Sequence, residues 1–197
     1  MKIKKLTEQS HFRRGHEIAE QEKSRGARSG RSGTLLYFAY GSNMNVNQMN
    51  FRCPDAEILE TVRLEGYRLA FCSNGGSRGV ATILPVPDSH VDGVLWELSH
   101  QDEQNLNLYE GFPRLYGKQL LTVENRLGKE VIAMAYVMNA PYKERPAVPS
   151  VGYLEGILQG CDQNGIDTGP VLAAVHDAFR LTGREANPHR EKQNPAR

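Results

Sequence analysis

The sequence predicts a single domain of the α+β class, on three observations. β-rich apolar runs fill most of the stretch from Leu35 to Met138 with one helical pattern among them. Two further helical patterns follow it. The 197 residues, 39% of them hydrophobic, supply one sizeable core, and a second full domain would be a squeeze.

The first predicted strand is Leu35 to Tyr40, an unbroken run of mostly β-forming residues, as expected where both faces are buried. It stops at Gly41. Gly41-Ser42-Asn43 then offers a residue free to take positive φ, a hydroxyl, and a side chain that bonds its own backbone. Such a loop either ends the strand as an ordinary turn or aims backbone N–H groups at an anion, and both readings are open at this point. Asn45 to Arg52 is polar, with Val46, Met49 and Phe51 as its apolar positions, which suits a short surface helix or turn before Cys53-Pro54.

Glu57 to Tyr67 mixes Ile58, Leu59, Val62 and Leu64 with charges, and Gly66 to Phe71 alternates well enough for a strand. Asn74-Gly75-Gly76 is a turn within the glycine-rich segment 73–79, which lacks the spacing of a phosphate loop or a dinucleotide fingerprint. A hairpin tip and a substrate-covering flap both fit it. Val80 to Leu84 and Val91 to Leu98 read as two strands separated by a loop, because Pro85 and Pro87 cannot sit in a central strand. Trp96 is expected in the core with its N–H bonded.

Ser99 precedes Asp102 by three positions, a capping-box start for a helix from Gln101 to Tyr109 with Leu106 and Tyr109 on one face. Glu110 follows, before Gly111-Phe112-Pro113. Flanked by Tyr109, Phe112 and Leu115, its carboxyl has surroundings of the kind that raise a pKa toward the range of a general base, whereas a Glu at a helix end is usually solvated and residues alone favour that reading. Strands Tyr116 to Asn125 and Glu130 to Met138 are joined by the turn Leu127-Gly128-Lys129, and VIAMAYVM reads as a buried central strand. Ser150 is a candidate N-cap for a helix bearing Tyr153, with Leu154, Ile157 and Leu158 on one face and Gly160 closing it. Thr168-Gly169-Pro170 opens a last helix, Val171 to Leu181, with Leu172, Val175 and Phe179 as its buried stripe.

Net charge is +1, which argues neither for a nucleic-acid binder nor for an acidic, solvating chain, and no nucleic-acid partner is expected. Residues 1–33 carry nine Lys/Arg against four Glu, a surplus of five that leaves the remainder at −4. That basic leader is expected to be a disordered or partly helical tail; its four Glu speak against an organelle transit segment. Residues 185–197 are expected to be a disordered C-terminal tail, which places the domain at 34–184. Cys53, Cys72 and Cys161 form no C-x-x-C pair and suit free thiols in a reducing compartment. The histidines lie far apart, and the closest, His11 and His16, fall in the leader, so no metal site is expected. With no apolar run of 18 residues and no signal-peptide core, the chain reads as soluble and cytoplasmic, without a membrane partner.

YFAYGSNM at 37–44 and YEG at 109–111 together resemble the gamma-glutamylcyclotransferase family. The likeness extends in the same order through GVATIL at 79–84, DGVLWELS at 92–99 and PSVGYLEGILQGCDQNGI at 149–166, and covers roughly Thr34 to Arg184. The resemblance implies a closed or nearly closed mixed-strand β-barrel with helices around it. It also implies conversion of a gamma-glutamyl amino acid to pyroglutamate (5-oxoproline) and a free amino acid, without a cofactor, by a monomer or homodimer. Carried over by position, it makes Glu110 the catalytic glutamate and assigns Tyr40, Gly41, Ser42, Asn43 and Met44 to a substrate loop. Tyr116 and Tyr153 become substrate-side tyrosines. Asn43 is similar to the branch acting on gamma-glutamyl amino acids. A sibling acting on gamma-glutamyl amines and a non-catalytic ligand-binding barrel remain the alternatives.

Overall fold

The computed structural model describes residues 34–183. The expected leader and C-terminal tail, with His11 and His16, lie outside the described residues. Strand β1 (Leu35–Ala39) is followed by a 3-10 turn (Ser42–Met44) and helix α1 (Val46–Arg52). Then come β2 (Glu57–Ser73), β3 (Gly79–Leu98), helix α2 (His100–Glu110), β4 (Tyr116–Asn125) and β5 (Glu130–Met138). A short 3-10 turn (Tyr142–Glu144) leads to α3 (Val151–Asn164) and α4 (Gly169–Leu181).

The strands close into a barrel in the order β1-β3-β2-β4-β5, with β5 returning to β1. That return is the parallel contact, at Tyr37 against Met134, and the other pairings are antiparallel. The ladder is thinnest at two junctions, with one residue pair joining β1 to β5 and two joining β2 to β4. The expected mixed α+β barrel is the observed one. The long β2–β3 ribbon is its largest unit, paired from Glu57 with Glu97 to Ser73 with Gly79.

The ribbon corrects two boundaries. β2 begins at Glu57, well before Gly66, because the segment that looked mixed alternates Val62 and Leu64 inward with Arg63 and Glu65 outward. β3 runs unbroken from Gly79 to Leu98 where two strands were expected. The proline argument fails for Pro85, which pairs with Tyr67 inside β3, and holds locally for Pro87. Pairing jumps from Tyr67–Pro85 to Glu65–His90, so residues 86–89 have no ladder partner and Pro87 costs no cross-strand bond.

Helix α2 starts as its sequence dictates: the Ser99 hydroxyl accepts from the Asp102 amide and the Asp102 carboxylate accepts from the Ser99 amide, each at 3.1 Å. Its end is set by Gly111, whose φ of 65° supplies the left-handed cap that stops the helix at Glu110. In β5 the run Ala133 to Met138 is wholly buried, as expected of a central strand.

Three further expectations are corrected. Gly160 does not close α3, which continues to Asn164 and ends on Gly165 at φ 63°. A Cβ on Gly160 would lie 2.7 Å from the Asn45 nitrogen and 2.9 Å from the Met44 carbonyl carbon, so this glycine permits close approach inside a helix. In α4 the buried stripe is Val171, Ala174 and Ala178, whereas Leu172 and Phe179 are exposed at 49% and 37%. Small residues let that helix sit close to the barrel, and the larger apolar ones misled the periodicity by one position. Trp96 is in the core, but its indole Nε1 has no hydrogen-bond partner.

Candidate active site

Four segments deliver their ends to one pocket of about 220 Å³. β1 brings Tyr37 and, one residue beyond its end, Tyr40; the turn after it brings Gly41, Ser42 and Asn43. α2 brings Glu110 as its last residue, β4 brings Tyr116 as its first, and α3 brings Tyr153. Tyr136 of β5 completes an aromatic wall, and Asn74 of the β2–β3 hairpin tip lies at the rim.

The loop is bolted down from outside. Asn45 caps α1 by accepting from the Gln48 amide at 3.1 Å, and its amide group donates to the Gly156 carbonyl and Gln159 of α3. Asn164 donates to the Met44 carbonyl at 2.9 Å. The Met44 N–H bonds back to the Gly41 carbonyl at 3.0 Å, so it closes the turn, and the Ser42 and Asn43 amides are the first-turn donors that remain. The Met44 side chain is buried in the core and does not line the pocket. The other seven predicted site residues do line it.

Glu110 is the chemical centre of this arrangement. Its Oε1 accepts from Asn43 Nδ2 at 2.8 Å, and the same amide nitrogen donates to the Tyr37 hydroxyl at 2.8 Å. Burial against the tyrosine wall pushes the Glu110 carboxyl up to about 7, with the Asn43 bond and the Arg52 charge opposing that shift. Burial raises the tyrosines 37, 40, 116, 136 and 153 above the ordinary phenol range, so they stay neutral at physiological pH. The expected half-burial of Glu110 is thus observed, but Tyr109 and Phe112 are exposed and its surroundings are the Asn43 amide and the tyrosine wall. Among the described residues no Lys, Arg or His lines the pocket.

Tyr116 and Tyr153 share one backbone unit. Tyr116 donates to the Ala81 carbonyl at 2.5 Å, and Tyr153 accepts from the Ala81 N–H at 3.1 Å. Both rings are thereby held on β3, and the Tyr153 hydroxyl is also hydrogen-bonded with the Ser42 side chain. Tyr40 donates to the Tyr136 carbonyl, and the Tyr136 hydroxyl donates to Asn107 at 2.9 Å. Sequence reasoning missed Tyr37, Tyr136 and Arg52. A tyrosine inside an apolar strand run, as in LLYFAY and VIAMAYVM, signals a hydroxyl that must find a partner in the interior. Arg52 carries no such local signal.

A mixed barrel with a loop-held amide, a neutral tyrosine wall and one carboxyl pushed up to about 7 makes a small pocket suited to a small-molecule ligand. The profile of the gamma-glutamyl cyclotransferase, AIG2-like family matches residues 37–155. The gamma-glutamylcyclotransferases of Bos taurus and Homo sapiens are 32% and 31% identical over 140 residues, spanning 68% of this chain and 73% of each relative. A solved gamma-glutamyl cyclotransferase superposes with a TM-score of 0.64 at 28% identity, covering 82% of this chain and 94% of that one. The chain belongs to the gamma-glutamyl cyclotransferase family.

Proposed function

We propose that this enzyme converts a gamma-glutamyl amino acid to 5-oxoproline and the free amino acid by intramolecular aminolysis, with Glu110 as general base and then general acid. The observation that carries the reading is a carboxyl poised near 7 inside a small pocket whose other walls are neutral hydrogen-bonding groups. The family membership supports the reaction class.

The substrate contains its own nucleophile and electrophile. Its α-ammonium has no lone pair until a proton leaves, and ionised Glu110 accepts that proton. The amine then attacks the γ-carbonyl carbon, a C–N bond forms, and the carbonyl oxygen becomes an oxyanion. Glu110 delivers a proton to the γ-nitrogen, the old C–N bond breaks, and the amino acid leaves. The oxyanion re-forms the carbonyl as that bond breaks, a second proton passes from the attacking nitrogen through Glu110 to the departing amine, and Glu110 ends as the carboxylate it began as. The Ser42 and Asn43 amides and the Tyr153 hydroxyl hold the substrate's α-carboxylate or the developing oxyanion by neutral donors. Folding the chain into an attack geometry supplies part of the ~7 to 11 kcal/mol available from orientation in ideal cases.

Glu110→Gln tests the assignment. The amide keeps size and polarity but cannot cycle a proton, so kcat falls by ~10² to 10⁴ while calorimetric affinity for gamma-glutamyl-alanine changes little. A variant keeping more than about a tenth of the rate removes Glu110 from this role. Following 5-oxoproline with gamma-glutamyl-alanine against a gamma-glutamyl amine separates the two substrate branches, and binding without release from either marks a non-catalytic barrel.

A further inference from the structure

Arg52, on the last turn of α1, does not line the pocket, yet its guanidinium is tied to the residues that do. It donates through Nη1 to Asn43 Oδ1 and, at 3.3 Å, to Ser42 Oγ. Through Nη2 it donates to Gln48 Oε1 at 2.6 Å and to the Tyr109 hydroxyl, and its Cζ stands 3.7 Å from the centre of the Tyr109 ring. Gln48 is itself crowded into place: a Cβ on Gly156 would come within 2.5 Å of its Nε2.

A carboxamide has an acceptor end and a donor end of nearly the same shape, so an asparagine can turn over without leaving its site. Here the choice is forced. With Oδ1 held by an arginine that has only donors, the NH₂ end must face the Tyr37 hydroxyl and Glu110 Oε1. The reverse orientation would set donors against the guanidinium and an oxygen against the carboxylate. We propose that Arg52 is a positioning residue that fixes the orientation of the Asn43 amide and so gives Glu110 a permanent hydrogen-bond donor on its Oε1. Its catalytic meaning rests on the reading of Glu110 as proton carrier.

The groups that face Glu110 from the surrounding elements are Arg52 of α1, the adjoining Cys53, and the tyrosines 37, 40, 116, 136 and 153. Burial raises the Cys53 thiol to about 12 and holds the tyrosines neutral, so Arg52 is the charged member of this set. Its removal takes away both a positive charge and the constraint on Asn43. Each change disfavours the carboxylate.

The test is carbon NMR titration of the Glu110 carboxyl, assigned by its absence in Glu110→Gln, together with the Asn43 side-chain amide signals. In Arg52→Gln the Glu110 midpoint rises by about one pH unit. The kcat/KM at pH 7 then falls about fivefold, and the gap closes near pH 9 as the carboxyl ionises. Loss of packing alone would lower the rate alike at all pH values and leave the midpoint in place, and that result overturns the proposal. Should Arg52→Gln fail to fold, Arg52→Lys keeps the stem and charge but cannot reach Asn43, Gln48 and Tyr109 together. Displaced Asn43 amide signals and a smaller rise are then expected, and wild-type signals overturn the proposal. Normal turnover by Glu110→Gln would refute the acid/base reading while the titration still decides the role of Arg52.

Discussion

Glu110 holds a carboxyl where a carboxylate is poorly accommodated, and the consequence is a stability that depends on pH. Its folded value, about 7, lies above the ordinary carboxyl range, so the folded chain binds this proton more tightly than the unfolded chain does. That contribution is fully present below the ordinary carboxyl range and is lost as pH rises through about 7. Glutamine never ionises. Glu110→Gln is therefore expected to melt above the wild type at pH 8, with most of the advantage gone at pH 5, in paired calorimetric scans. An equal melting shift at both pH values would mean that ionisation is not its cause. A variant that gains stability while losing turnover is the behaviour of a residue kept for chemistry at the expense of the fold.

Among the elements, α3 decides how firmly the turn at Ser42–Met44 is held. Gly160 lets the helix backbone reach the turn at Met44–Asn45, and Asn164 and Asn45 bond across the contact. Gly160→Ala is expected to destabilise the protein by about 1 to 3 kcal/mol through overpacking, and to lower kcat/KM by shifting the Asn43 amide. Denaturant melts and steady-state rates check it; an unchanged rate in a destabilised variant would uncouple the helix from the site. This same contact shows what the sequence made legible. The capped start of α2 rests on local chemistry at adjacent positions and can be read along the chain, whereas Ser150 makes no side-chain cap and the roles expected of the loop and Glu110 came from the family resemblance. The role of Gly160 depends on a turn more than a hundred residues away, and that of Arg52 on Asn43 and Tyr109 meeting it from two other segments. The α4 stripe went wrong for a related reason: alanines carry little hydrophobic signal, yet they are what fits against a closed barrel.

For the whole molecule, closure is the property with the widest consequence. β1 has both neighbours, β3 and β5, inside residues 34–183, and every residue placed at the pocket lies between Tyr37 and Tyr153. The leader, residues 1–33, brings nine cationic and four acidic side chains but no periodic apolar face in its sequence, so nothing in it is suited to extend the core. Removing those residues is therefore expected to leave kcat/KM for gamma-glutamyl-alanine within about twofold and the melting temperature within about 4 °C, which at this chain length corresponds to ~1 kcal/mol. The measurement is a matched pair, full chain and truncation, scanned at the same ionic strength because the leader carries the positive charge. A larger fall in melting temperature would place a leader segment against the barrel, and a fall in kcat/KM with unchanged melting would assign the leader a part in substrate entry.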